Sequence, residues 1–260
     1  MIIASFNING IRARMPVLTE WLGSTKPDVA ILQETKIPDD KFPQSVFEDL
    51  GYNVAFHGQK SFNGVAILSK LPLEDVRMGL DGDDADDHAR YIEATVVGDT
   101  HALRICGLYL PNGNPAPGPK FDYKLAWMAR LRARARALLE REEAFVMAGD
   151  YNIIPQAEDA ARPDAWREDA LFRPEARAAF RRLVNLGLTD AFRTVHPGAE
   201  GYTFWDFQRG AWNRNDGIRI DHFLLSPQAA DMLVDCRVEK DLRGWEKPSD
   251  HVPIQIQIDL

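Results

Sequence analysis

Apolar residues along this chain fall into runs of distinct kinds. Residues 2–6 (IIASF), 29–33 (VAILQ) and 144–149 (AFVMAG) are continuously apolar or small, as strands buried on both faces are. Residues 52–56, 64–69, 91–97, 103–110 and 218–226 also read as strands, with a hairpin expected around Gly98-Asp99. The last strand alternates: Val252, Ile254, Ile256 and Ile258 interleave with Pro253, Gln255, Gln257 and Asp259. Helical spacing appears at 17–22, at Phe42, Val46, Phe47 and Leu50, and at 174–186 behind Pro174. The longest helical pattern is 121–141, with Phe121, Leu125, Met128, Leu131, Ala135 and Leu138 on one face. Between these lie a Pro/Gly loop (111–120), a polar stretch (155–173) and a segment rich in Gly, aromatics and Arg (197–217). Strands outnumber helices, and some are two-sidedly apolar while others alternate. That mixture predicts an α/β fold of two mixed sheets packed together with helices outside.

Composition narrows the picture only in places. The 260 residues suffice for one large domain or two small ones, and no low-complexity linker divides them, so residues 1–260 are expected to form a single domain. Only Cys106 and Cys236 are present, without CxxC spacing, which predicts a reduced protein without a zinc site. The N-terminus lacks a basic segment and a long apolar run, and no stretch of 18 apolar residues occurs, so a cytoplasmic protein without a signal peptide or membrane span is expected. The net charge of −8 argues against a simple basic nucleic-acid coat. It does not exclude a nucleic-acid enzyme, because bound cations reverse the sign of an acidic cleft.

Polar residues recur at the edges of the apolar strands. Asn7 and Asn9 follow the first, Glu34 the second, and Tyr109 ends 103–110. Asp150 and Asn152 follow 144–149, Asp221 lies inside 218–226, and Asp250-His251 introduces the last strand. A carboxylate against a buried strand needs a partner. Strand ends sharing a rim can gather such residues into one cleft. Carboxylate and amide oxygens without thiolates favour hard ions, Mg²⁺ or Mn²⁺, and magnesium leaves room for phosphate oxygens. Adjacent side chains on a strand point opposite ways, so His251 needs a carboxylate other than Asp250, and Asp221 is the candidate.

The segments FNINGIRAR (6–14), LQETK (32–36), GVAILSK (64–70), AGDYNI (148–153), GIRIDHFLLS (217–226) and SDHVPI (249–254) resemble, in order, the exonuclease III family of abasic-site endonucleases. That family belongs to the wider deoxyribonuclease-I-like phosphoesterases. The resemblance implies a four-layer αββα sandwich, which the strand pattern alone does not supply. It implies Glu34, Asn7 and Asp250 as metal-binding residues, with Asn9 a further candidate, and Asp150 as the group that activates the attacking water. By the same resemblance Asn152 holds the phosphate, Tyr109 contacts the phosphate or leaving group, and His251, oriented by Asp221, stabilises phosphate charge. Asn112 is a possible phosphate contact.

Some members of that family carry tryptophan where Ile218 stands here. The expected abasic-sugar pocket is apolar, with Phe204, Trp205 and Ile218 as walls and Ile220 as a further candidate. The arginines of 121–141 are read as a solvated face in preference to a DNA-binding stripe, and the acidic run DGDDADD (81–87) as a solvated loop. His57, His101, His196 and His222 are read as structural or exposed. The expected function is a DNA-repair nuclease. It would use Mg²⁺, replaceable by Mn²⁺, on double-stranded DNA with abasic sites or 3′ ends, as abasic-site endonuclease, 3′-to-5′ exonuclease and 3′-end trimmer. No membrane and no obligate protein partner are expected. The alternatives are a phosphatase of small or lipid phosphoesters on the same scaffold, and a catalytically dead nucleic-acid-binding module.

Overall fold

The structure, a computed structural model, describes residues 1–98 and 101–259. The hairpin turn expected at Gly98-Asp99 falls partly outside them, at Asp99. In chain order the strands are β1 (Ile2–Asn7), β2 (Val29–Gln33), β3 (Asn53–His57), β4 (Val65–Ser69), β5 (Leu73–Met78) and β6 (Tyr91–Val97). They continue as β7 (Ala102–Tyr109), β8 (Phe145–Asp150), β9 (Thr189–Asp190), β10 (Asp221–Leu225), β11 (Leu233–Val238) and β12 (Ile254–Ile258). The α-helices are α1 (Ile11–Thr25), α2 (Gln44–Asp49), α3 (Pro119–Leu139), α4 (Pro174–Val184), α5 (Ala191–Val195) and α6 (Pro227–Asp231).

Two six-stranded sheets form, ordered β11-β12-β1-β2-β4-β3 and β5-β6-β7-β8-β10-β9. Each has one parallel pair, β1 with β2 and β7 with β8, and each pair is joined across a helix, α1 or α3. The side-chain alternation of the strands then builds the layers. Ile3, Val29, Ile31 and Ile67 of one sheet face Ile92, Ile105, Val146 and Phe223 of the other. Ala4, Phe6, Ala30 and Leu32 turn outward under Leu18, Trp21 and Leu22 of α1. Cys106, Leu108, Phe145 and Met147 turn outward under Trp127, Leu131 and Phe180 of α3 and α4. The layers are helix, sheet, sheet, helix, as expected. No helix among the described residues is long and apolar enough to cross a membrane. Both cysteines are buried and free.

Several boundaries differ from the sequence reading. α1 begins at Ile11, not near 17, because Pro16 sits inside the helix and not at its start. β5 and β11 escape the pattern: both are sheet-edge strands, and β5 leaves Glu74, Asp75 and Val76 exposed. The strand expected over 218–226 shortens to β10, because Ile218 instead forms a bridge with Phe204 and with Ala160.

The charged segments expected to be solvated are partly not. Arg130 of α3 donates to Asp86 at 2.6 Å, and Tyr123 donates to the same carboxylate at 2.9 Å, so Asp86 is tied down inside the acidic run. Arg134 pairs with Glu93, which is buried in β6 and also takes the Tyr91 hydroxyl at 2.6 Å. These two arginines neutralise Asp86, in the loop before β6, and Glu93, in β6. A buried carboxylate with no such partner would be costly.

The sheets approach closely where β7 has no side chain. A Cβ at Gly107 would lie 2.7 Å from Ile31 Cγ2 in the opposite sheet. Gly107→Ala is expected to lose about 1–3 kcal/mol by overpacking, read as a lower thermal midpoint. An unchanged midpoint would mean the sheets separate there without strain.

Candidate active site

The topology explains why distant residues meet. The parallel partners β1 and β2 end at one rim, and so do β7 and β8. β10 runs antiparallel to β8, and β12 antiparallel to β1, so both begin where their neighbours end. Registers place Tyr109 opposite Asp150 and Asp150 opposite Asp221. Asn7 closes β1 and Glu34 follows β2, while Asp250-His251 leads into β12.

At this rim the side chains form a continuous line. Asn7 Nδ2 donates to Glu34 Oε1 at 2.8 Å and to Asp150 Oδ2 at 2.9 Å. His251 Nε2 lies 3.7 Å from the same Asp150 oxygen, and His251 Nδ1 meets Asp221 Oδ2 at 2.8 Å. The structure thus pairs His251 with Asp221 and not with adjacent Asp250. Asn152 N donates to Asp150 Oδ1 at 2.8 Å, and Asn112 Nδ2 donates to Asn152 Oδ1 at 3.2 Å. Tyr109 stands beside Glu34 and Asp150, under the guanidinium of Arg90, 4.9 Å from its ring centre.

The backbone is strained at this rim. Asn9, Glu34, Lys36 and Asn152 all adopt left-handed φ, between 46° and 53°. Such conformations persist only where surroundings hold them. For Glu34 and Lys36 the hold is a set of loop hydrogen bonds, including Gly10 N to Glu34 O and Lys36 N to Asn63 O.

Burial and mutual charge set the ionisation. Burial raises the Asp150 pKa, and the carboxylates of Asp221 and Glu34 raise it further against the pull of His251. Burial alone would lower the His251 pKa, but Asp221 and Asp150 outweigh it and hold the imidazole charged, well above its ordinary value. Burial likewise opposes ionisation of Glu34. Lys36, 2.7 Å away, with Asn7 and His251, overcomes it and keeps that carboxyl below its usual range. Burial raises the Tyr109 pKa well above that of a free phenol, and Glu34 and Asp150 add to the shift.

Glu34, Asp150 and His251 offer ligand atoms within 4.8 Å of one another, an arrangement that could hold a metal ion. A protonated imidazole has no free lone pair, so the oxygens of Glu34 and Asp150 are the available ligands. They are hard donors and suit a divalent ion of the magnesium class. Asp250 stands outside this group, its Oδ1 accepting from Asn9 Nδ2 at 3.0 Å and from Ser249 Oγ at 3.3 Å. Asn7 turns its amide N–H groups to the two carboxylates, and its Oδ1 accepts from Asn9 N.

The aromatic residues divide. Phe204 bridges His251 through the backbone and presents its ring edge-on to the imidazole, centroids 5.0 Å apart. Trp205 does not line the site. It is fully buried with Tyr202 on the outer side of the β1 sheet, with Trp212 against its ring. Successive extended residues face opposite ways, so Phe204 and Trp205 could not both look at the rim. Ile218 and Ile220 are buried in a small cluster that Phe204 covers. The cavity of about 330 Å³ beside Phe204 is not the closed apolar pocket expected from the sequence, for Arg162, Asp169, Arg209 and Asp216 line it along with Trp166.

Sequence reasoning missed Lys36, Arg90 and Lys124. Lys36 lies within LQETK, but a lysine in a loop carries no signal by itself. Lys124 did carry one, since it falls on the buried stripe of α3 between Phe121 and Met128.

Residues 4–251 match the Endonuclease/Exonuclease/phosphatase family. The chain is 37% identical over 258 residues to exodeoxyribonuclease III of Haemophilus influenzae, covering 96% of this chain and 97% of that one. It superposes on an AP endonuclease from Archaeoglobus fulgidus with TM-score 0.95 and 37% identity, covering 100% of both chains. A 3′ phosphatase from Neisseria, solved with a product DNA hairpin, gives TM-score 0.96 and 38% identity over 100% of both chains.

The His251–Asp221 pair has a direct test. A histidine whose folded pKa is raised contributes stability that is present at low pH and lost as pH climbs through the folded value. Wild-type His251 should therefore stay charged from pH 6 to 8.5, read by the NMR shift of its ring carbon. In Asp221→Asn it should titrate nearer its ordinary value of 6.5. A wild-type ring that titrates near 6.5 would contradict the pairing.

Proposed function

The chain belongs to the endonuclease/exonuclease/phosphatase family, and from that premise we propose that it is a metal-dependent DNA-repair nuclease that hydrolyses phosphodiesters at abasic sites and at 3′ ends of duplex DNA. The observation that carries this reading is the continuous line from Glu34 through Asn7 and Asp150 to His251 and Asp221 at one strand rim. It joins an oxygen-ligand set, a carboxylate of raised pKa and a fixed imidazolium. Phosphoryl transfer needs these elements more than it needs a protein nucleophile.

In this proposal Glu34 and Asp150 hold a Mg²⁺ ion, with Mn²⁺ as a substitute and Asn7 and Asp250 beside it. When bound, the ion supplies a Lewis acid for the phosphate oxygens. Asp150 also orients the attacking water and takes its proton. The Asn152 and Asn112 amides and the His251 imidazolium hold the phosphate oxygens, where negative charge develops. Asp221 keeps His251 charged and turned toward Asp150. The Tyr109 phenol remains protonated and can donate toward the phosphate or the leaving oxygen. Phe204 packs against His251 and borders the cavity beside the scissile group. Neither Trp205 nor Ile218 touches substrate in this arrangement; Ile218 supports Phe204 from the core, and Trp205 is buried in a separate cluster.

Removal of a phosphate from a 3′ end fits the same residues. The likeness to a 3′ phosphatase with product DNA favours DNA ends over small or lipid phosphoesters as substrates of this chain.

A duplex carrying one abasic analogue tests the reading. Cleavage at the analogue is expected with Mg²⁺ and should vanish with EDTA. Glu34→Gln should fold normally and need roughly tenfold or more Mg²⁺ for half-maximal rate, since one of few ligands is weakened. Cleavage in EDTA, or an unchanged Mg²⁺ requirement in the variant, would contradict the assignment.

A further inference from the structure

A lysine with no exposed surface stands directly behind the site. Lys124 lies on the buried stripe of α3 and is 0% exposed. A buried ammonium is costly unless it is bonded, and leucine or methionine would continue the stripe without that cost. Here the ammonium is bonded in a particular way. Nζ donates to the backbone carbonyl of Asn112 at 2.9 Å and to that of Asn152 at 2.6 Å.

Those carbonyls belong to separate loops, one leaving β7 and one leaving β8. The same two residues meet again through their side chains, and Asn152 Nδ2 also donates to Leu110 O at 2.9 Å. Asn152 has φ of 48°, which the loop must be made to keep. Room for the lysine is reserved by Gly113, whose φ is 90° and whose missing Cβ would lie 2.7 Å from Lys124 Cδ. Burial lowers the lysine pKa to about 7 against the attraction of Asp150 and Asp169.

We infer that Lys124 is a positioning residue, whose Nζ clamps the two loop carbonyls and thereby aims the Asn152 amide at the scissile phosphate. The inference rests on the proposed role of Asn152 in holding phosphate. Lys124 itself does not touch the substrate. Its effect should fall on turnover more than on DNA affinity, and it should operate only while the Asn152 amide is present.

A double-mutant cycle separates this from a purely structural role. Single-turnover cleavage of an abasic duplex at saturating Mg²⁺ is measured for wild type, Lys124→Met, Asn152→Ala and the double variant, with thermal melts alongside. Lys124→Met should lower the rate about 10²-fold, as misplacement of a contact by an ångström can, and change DNA affinity by less than about threefold. In the Asn152→Ala background the same substitution should cost no more than about threefold, because the two act as a unit. If Lys124→Met does not fold, Lys124→Gln, which keeps an N–H donor on a shorter stem, carries the same cycle in the same direction. An equal loss in both backgrounds, or a normal rate in Lys124→Met, would overturn the inference. A normal rate in Asn152→Ala alone would remove Asn152 from the reaction, and the inference with it.

Discussion

The governing constraint is the crowding of carboxylates at a dry strand rim. Asp150 is 1% exposed and shares its surroundings with Asp221, also 1% exposed, and with Glu34. Like charges in a medium of low dielectric cannot all ionise unless cations stand among them. His251 and Lys36 stand among these carboxylates, and Asn7 links the two carboxylates that Lys36 and His251 flank. A divalent ion among these carboxylates would therefore suit the rim electrostatically as well as chemically. Glu34 and Asn152 both keep left-handed φ at this rim.

Rigid supports outside the site share the logic of paired burial. Arg219, 1% exposed, binds Asp159 at 2.7 Å and Asp190 at 2.9 Å, and Arg193 joins it on Asp159. This network ties the 157–159 turn and the start of α5 to the residues just before Asp221. Breaking one partner of such a group strands a buried charge, so the network fixes position more than it adds net stability. The Glu93 cluster under α3 does the same for β6 and β7, the strands that deliver Arg90 and Tyr109.

Much of this was legible in the sequence, because strand periodicity and strand-end polarity are local properties. Asp221 could be matched to His251 since adjacent strand residues point apart, and the structure pairs them at 2.8 Å. The same geometric rule, applied to Phe204-Trp205, would have sent only one ring toward the rim. What stayed hidden was long-range. Arg130 and Arg134 read as a solvated face until the acids opposite them, Asp86 and Glu93, are brought near by folding. Edge strands β5 and β11 lack a consistently buried face and therefore lack a pattern. Lys124 was visible as a cation in an apolar stripe, but its acceptors are backbone carbonyls, which have no sequence signature.

The central claim is that the residues of the rim act as one charge-coupled unit on a phosphodiester. Single-turnover cleavage of an abasic duplex by Asp221→Asn, His251→Asn and the double variant, at saturating Mg²⁺, tests it most directly. Each single substitution should slow cleavage by about 10²-fold or more, and the double variant should remain within about tenfold of the slower single one, as for residues that act together. Losses that multiply across the two substitutions, or near-normal cleavage by either single variant, would contradict the account.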